Sequence, residues 1–407
     1  MPANLTGKVV LGALGTVGLL NLGLGIVFIQ PLVTAAGAAV LAYALWRLRP
    51  ARRRTPQSPQ PPAPPEPRPP RPAAAAAPSG DPDALVRQML LQGRYALLLR
   101  PQVAGNLREE QLKEIRESLF STMALVPDGE VVLGLLDEAL DEGKLEDEEI
   151  AQCRGRVVRV EHFLIDRYPA TNRQYYEFVA AGCYEQMALW DEPIWPAVLD
   201  FVDATGHPGP RFWRKGCYLP GREDHPVVGV SWYEALAYAR WLGKRLPTGA
   251  EWVKAGSWPV TLSGGRVQRR YPWGETMDRS KTNLWGTGPG STVPVDHHSE
   301  GVSVGGVYQL IGNVWEWTTS DLRGEALGPG PLSLDTPLKS IRGGAFDTYF
   351  DNQATCHFQS GEPPISRRHN IGFRCAVGVC DLMLAANAVE DALPEETLMA
   401  AAEEVQV

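Results

Sequence analysis

Thiols, imidazoles and one carboxylate set between tryptophans are the side chains here whose types and spacing could carry chemistry. Six cysteines sit at 153, 183, 217, 356, 375 and 380. None forms a C-x-x-C pair, and Cys375 with Cys380 has no histidine beside it at zinc-ligand spacing. In that pattern they are expected as small buried hydrophobes in a reducing compartment. The imidazoles open to metal ligation are His225, the adjacent His297 and His298, and His357 next to Cys356; adjacent histidines in a loop are more often exposed than ligating. Gly312-Asn313-Val314-Trp315-Glu316-Trp317 places a carboxylate in a tightly turned, aromatic-rich segment suited to burial. Arg342-Gly343-Gly344 and Gly372-Phe373-Arg374 put arginines beside glycines, where backbone can approach closely. Such residues are expected to hold an irregular fold together by packing and by bonding loops.

The elements that would position these groups start well into the chain. Residues 9–29 form an uncharged apolar run long enough to cross a bilayer. After Gln30-Pro31, a shorter run over 32–46 is followed by Arg47, Arg49 and Arg52 to Arg54. The basic cluster follows the apolar stretch, the reverse of a signal peptide. Residues 1–49 therefore read as a transmembrane hairpin, with the arginines held in the cytoplasm and the rest of the chain on that side. Residues 50–83 contain a Pro-rich linker, with twelve Pro and five consecutive Ala over 50–80, an extended spacer without a core. A helical collar is expected over 84–121, with Asn106 capping a helix that carries Leu107, Leu112, Ile115 and Leu119. From 123 to 134 the pattern turns to strand, turn and strand. Three capping boxes then announce short helices at Thr171/Gln174, Ser231/Glu234 and Thr248/Glu251. The middle helix carries Ala235, Leu236, Ala239 and Leu242 on one face and stops at Gly243. Residues 381–407 are an acidic tail with seven acids and no Lys or Arg.

Charge is unevenly spread. The chain's net −8 hides a basic stretch over 1–80, where Lys8 and seven Arg face Glu66 alone, so the remainder is strongly acidic. An acidic body argues against nucleic acid as a partner, which needs a basic face.

Seven stretches between 122 and 380, in order, resemble the formylglycine-generating enzyme (sulfatase-modifying factor) family. They are 123–134, 160–179, 225–252, YPWG at 271–274, GVYQLIGNVWEW at 306–317, RGG at 342–344 and IGFRC at 371–375. The resemblance implies an α+β, irregular C-type-lectin-like domain with few short helices and strands. It also implies chemistry that this chain departs from. The founding enzyme oxidises a substrate cysteine with oxygen and a copper ion held by two cysteines, four and nine residues after the Gly-Gly pair. Those positions are Thr348 and Gln353, which cannot replace thiolates for soft Cu(I). A serine near the reacting site is Ala345 here. No copper and no catalytic residue are therefore expected. The sulfoxide-synthase branch takes iron ligands from a histidine-bearing helical domain, and no His precedes His162. In secreted relatives the cysteine matching Cys375 bonds to a helix position that is Ala239 here, which leaves Cys375 free.

The same resemblance implies a structural Ca²⁺ site in the Gly-Asn-x-Trp-Glu loop: backbone oxygens of Gly312 and Val314, the carboxylate of Glu316, and the amide of Gln309 where the family has Asn. The competing reading has Glu316 satisfied by backbone N–H groups or an Arg. A second family site would use Asn283 and Leu284, but its loop contains no Asp up to Pro294, so it is expected to be absent or rebuilt. Three functions compete. The first is a non-catalytic binding or scaffold module displayed at a membrane, with a protein or peptide partner. The second is a metal-dependent oxidase of the family with ligands rearranged onto Cys356, His357 and His297/His298. The third is a receptor with diversified loops, hinted at only by the run Asp347–Gln353.

Overall fold

The computed structural model describes residues 81–134, 155–262, 265–322 and 337–384. The expected transmembrane hairpin, most of the linker and nearly all of the acidic tail lie outside them. Among the described residues no helix is long and apolar enough to cross a membrane.

The chain enters through four short helices, α1 (Pro82–Leu91), α2 (Tyr95–Leu98), α3 (Pro101–Ala104) and α4 (Glu109–Thr122). α1 begins because Asp81 accepts the backbone N–H of Asp83 and Pro82 needs no donor there. α4 starts at Arg108, where the Gln111 side chain accepts the Arg108 N–H, rather than at the expected Asn106. Asn106 instead donates to the carbonyl of Gln102. The helices expected over 84–121 pack onto the body. Leu98, Leu99, Ile115 and Leu119 are fully buried with Leu125, Leu164 and Val377 of the adjoining sheet, and α4 runs straight into β1. The helices are also tied to the body through Arg94, which donates to the Trp241 carbonyl, and Arg100, which donates to that of Gly243.

The strand-turn-strand expected at 123–134 is present as β1 (Met123–Val126) and β2 (Gly129–Leu133), but the two strands part company. β2 pairs antiparallel with β3 (Arg156–Val160), Gly129 opposite Val160. β1 pairs antiparallel with β4 (Phe163–Asp166), Met123 opposite Asp166. The other edge of β4 takes β11 (Ala376–Gly378), so the three-stranded sheet runs β1-β4-β11.

All three capping boxes form. They start α5 (Asn172–Ala180), α7 (Trp232–Trp241) and α8 (Gly249–Ser257), with a one-turn α6 (Trp195–Val198) between the first two. α5 and α7 bury Tyr175, Phe178, Ala235, Tyr238 and Ala239 in one core cluster with Trp317 and Phe373. α8 buries Trp252, Val253 and Ala255 in a second, against β1, β2 and Leu310. After a small hairpin of β5 (Val260–Leu262) and β6 (Gly265–Val267) comes a long irregular stretch. The last sheet has the order β10-β7-β8-β9, built from β7 (Trp315–Asp321), β8 (Lys339–Arg342), β9 (Gln359–Glu362) and β10 (Ile371–Gly372). Only β10 lies parallel to its neighbour.

Candidate functional site

The motif residues converge at the start of β7. Glu316 and Arg374 are both fully buried, and the guanidinium meets the carboxylate with two hydrogen bonds of 2.7 Å. Trp252 of α8 donates its indole N–H to the same carboxylate at 2.8 Å. Arg374 uses its remaining N–H groups on the carbonyls of Asp166, Arg167 and Tyr308. One buried ion pair thus joins β7, α8, β4 and the 308 loop, with every strong donor satisfied, the condition under which a buried pair is tolerated.

That geometry bears directly on the calcium expectation. Of the two readings of Glu316, the contacts follow the second: the carboxylate is neutralised by Arg374. Gln309 is occupied as well. Its Oε1 accepts from Asn313 Nδ2 at 2.6 Å, and its own Nε2 donates to the carbonyls of Pro294 and His297 at 2.9 and 2.8 Å. The Gly312 carbonyl accepts from Val314 N–H. Arranged this way, Gln309, Gly312, Val314 and Glu316 do not fit a calcium ion, because the carboxylate and amide oxygens already point at internal donors. At the second expected position, Asn283 Nδ2 donates to the Ser291 carbonyl and to Asn313 Oδ1.

The loop after β8 holds the positions where the resemblance places copper chemistry. Gly343 and Gly344 both have positive φ, and a Cβ on Gly343 would sit 2.4 Å from the Leu310 carbonyl oxygen, so only glycine passes there. Ala345 is fully buried. Thr348 is buried and closes a turn: its hydroxyl accepts the Ala345 N–H at 2.8 Å, and its N–H donates to the Ala345 carbonyl at 2.9 Å. Gln353 sits half-buried at the end of a 3-10 turn, Asp351–Gln353. Neither residue presents a soft donor.

Cys356 and His357, the ligands of the oxidase alternative, are built into the core. Cys356 packs against Gly256 of α8, where an added Cβ would lie 2.9 Å from its sulfur. Burial, above all, pushes its thiol well up, so it is no ready thiolate. His357 accepts at Nδ1 from Gln268 and donates from Nε2 to the Arg269 carbonyl, and burial lowers its pKa to about 4. Both ring nitrogens are occupied and the ring is neutral. His225 is engaged with Arg222 and Thr292, and burial followed by the Arg222 charge lowers its pKa. His297 is exposed against His298, whose Nδ1 lies 2.9 Å from the Ser280 carbonyl oxygen. Among the described residues no group of three or more His, Cys, Asp or Glu is arranged to hold a metal ion. Cys375 is a free, buried thiol.

Residues 109–379 match the sulfatase-modifying factor enzyme 1-like domain. This chain belongs to that family. Among its relatives, the serine/threonine-protein kinase Pkn1 of Chlamydia trachomatis is 31% identical over 295 residues, 70% of this chain and 43% of the kinase. The hercynine oxygenase of Mycolicibacterium smegmatis is 36% identical over 217 residues, 51% of this chain and 47% of the enzyme. The inactive C-alpha-formylglycine-generating enzyme 2 of Bos taurus is 32% identical over 260 residues, 55% of this chain and 79% of the relative. The chain spans under half the length of the first two.

Sequence reasoning missed a second buried network. Glu234, known from its capping box, also accepts from Tyr184 at 2.8 Å and pairs with Arg367 at 2.9 Å, while Tyr184 and Tyr175 share a hydrogen bond of 3.0 Å. Burial raises the Glu234 pKa while Arg367 opposes it. A capping glutamate ordinarily faces solvent, so nothing local in the sequence signals this burial. Also missed is an aromatic rim around the 343–353 loop: Trp285, Tyr349 and Phe350 are more than half exposed, and Phe212 is 42% exposed.

Proposed function

We propose that this chain is a membrane-tethered, non-catalytic binding or scaffold module of the sulfatase-modifying-factor family, held by its Pro-rich spacer at the cytoplasmic face and contacting a protein or peptide through its surface loops. The observation that carries the reading is Thr348. Its hydroxyl closes a backbone turn where the resemblance calls for a copper-binding thiolate, with Cys356, the nearest thiol along the sequence, sealed in the core. Gln353 supplies an uncharged amide at the other position. The relatives' names include an oxygenase and an inactive enzyme, so the decision rests on this chain's own donors.

The test incubates the full chain with a Cys-x-Pro-x-Arg peptide, oxygen and Cu(I), alongside elemental analysis of the purified protein. The reading expects no aldehyde above background and no stoichiometric copper or iron. Copper-dependent aldehyde would overturn it, and copper lost in Cys356→Ser would move the function to a rearranged oxidase. Thr348→Cys with Gln353→Cys should create tight Cu(I) binding if the positions correspond. For topology, protease outside intact cells should spare residues 81–407; their digestion would sink the cytoplasmic placement.

A further inference from the structure

The loop 210–216 is anomalous on an acidic body. It carries Arg211, Arg214 and Lys215, all exposed, with no acid between them. None of the three makes an ion pair among the described residues, whereas most of the described arginines and lysines do, Arg173 with Asp224 and Arg240 with Asp191 among them. Phe212 stands among these cations, 42% exposed, with the Arg211 guanidinium 6.0 Å from its ring centroid.

The platform is rigid. Gly229 has φ +76°, and a Cβ there would lie 2.6 Å from the Phe212 ring, so the ring lies against backbone that only glycine leaves open. His369 meets the Phe212 ring in an edge-to-face contact, at 6.4 Å between centroids. Two charges, buried Asp203 and half-buried Arg367, tie down the loop and the segment leading into it. Asp203 accepts the N–H groups of Thr205, His207 and Gly216 at 2.6, 3.1 and 2.7 Å. Arg367 donates to the carbonyls of Val202 and Gly209 while paired with Glu234. Through His369, which also contacts the Phe346 ring and lies 3.6 Å from Asp347, the platform continues into the loop bearing Tyr349 and Phe350.

We infer that the Arg211–Lys215 loop, with Phe212 and His369, is a preformed docking platform for an acidic peptide segment that carries an aromatic or large aliphatic side chain. The assignment rests on the binding-module reading and names that module's partner class. Charge complementarity selects the class: three unpaired cations attract carboxylates, while an apolar anchor belongs on Phe212. The strongly acidic remainder of the body repels a long uniform polyanion, which favours a short acidic segment over nucleic acid. Holding Phe212 in place before binding removes part of the ordering cost that a mobile loop would add.

The test uses the full chain in detergent and a fluorescein-labelled peptide with four Asp or Glu on each side of one Trp, read by anisotropy. The expected result is micromolar binding that weakens as salt rises. Phe212→Ala and, separately, Arg211→Glu with Arg214→Glu should each weaken it by about tenfold, the scale of a central contact. These side chains are exposed, so the variants should melt with the parent, and that melt is measured alongside. Equal binding of a peptide with Lys in place of every acid overturns the proposal, as does indifference to both variants. Displacement by poly(U) or phosphatidylserine vesicles at least as readily as by unlabelled peptide also overturns it, assigning the platform to generic polyanions. If the peptide fails while the copper assay stays silent, the platform is wrong and the module reading stands; aldehyde formation removes the module reading itself.

Discussion

Lys254 offers the sharpest quantitative test of how this core is built. It lies on α8 at 3% exposure, its ammonium directed at Gly129 of β2, where an added Cβ would be 3.0 Å from Nζ. It makes no side-chain hydrogen bond or ion pair among the described residues, although Asp128 and Glu130 lie near enough to favour its charge. Burial dominates and lowers its pKa from 10.5 to about 8. At roughly 1.4 kcal/mol per unit, that displacement of about 2.5 units corresponds to an upper limit of about 3–4 kcal/mol against the charged form. The folded-state value lies below the unfolded one, so the unfolded chain binds more protons between about pH 8 and 10.5. The penalty is therefore complete below pH 8 and relieved as pH rises through that window. Lys254→Met keeps all but the last atom of the unbranched side chain and removes the charge. It should raise stability at pH 7 by about 1–3 kcal/mol, and that advantage should shrink steadily between pH 8 and 10.5. Denaturant unfolding of both proteins at several pH values measures the difference, in which titrations common to both cancel. A Met variant that is less stable at pH 7, with no convergence at high pH, would refute the reasoning and mean that the ammonium has a partner.

Other perturbations follow from the same contacts. His357 is held neutral with its pKa lowered to about 4, so stability should fall as pH drops from about 6.5 toward 4, and His357→Gln should lack that part of the slope in parallel unfolding curves. Glu316→Gln leaves Arg374 buried without its counter-charge and should cost about 3–5 kcal/mol by denaturant unfolding. The parent's melting temperature should be the same in EGTA and in calcium; a chelator-sensitive melt lost in Glu316→Gln would restore the calcium reading. In the native protein, mass-mapped alkylation should reach exposed Cys380 well before buried Cys183, Cys356 and Cys375, and equal labelling would show that the core thiols are accessible.

Features encoded within a few residues were legible. Each of the three capping boxes starts a helix where expected, because Thr or Ser and a Glu or Gln three residues on satisfy each other's backbone N–H groups without outside help. The expected apolar face of α7 is largely buried, with Ala235, Ala239 and Leu242 inside and Leu236 only partly covered. Pairings across long separations were not legible. β1 and β2 were readable as strands, but their assignment to different sheets depends on β4, β11 and β3. At the candidate site, the sequence identified Glu316 and Arg374 and offered an Arg as one partner for Glu316, without choosing it over calcium. The choice depends on Trp252 and Arg374 arriving from distant elements. Asn106 was the more local error: an amide beside a helix start can bond backward, as it does to Gln102, and leave the cap to Gln111.

The placement of β1 and β11 on the two edges of β4 has a consequence for how the domain is carried. Its incoming and outgoing strands flank a single strand, and just beyond them Met383 N–H bonds to the Leu99 carbonyl while Arg100 pairs with Asp381. The outgoing lead is therefore stitched onto the turn between α2 and α3 instead of leaving β11 unsupported. Cutting the chain ahead of Leu99 should therefore loosen the exit of β11 together with the entry helices, since both share that stitch.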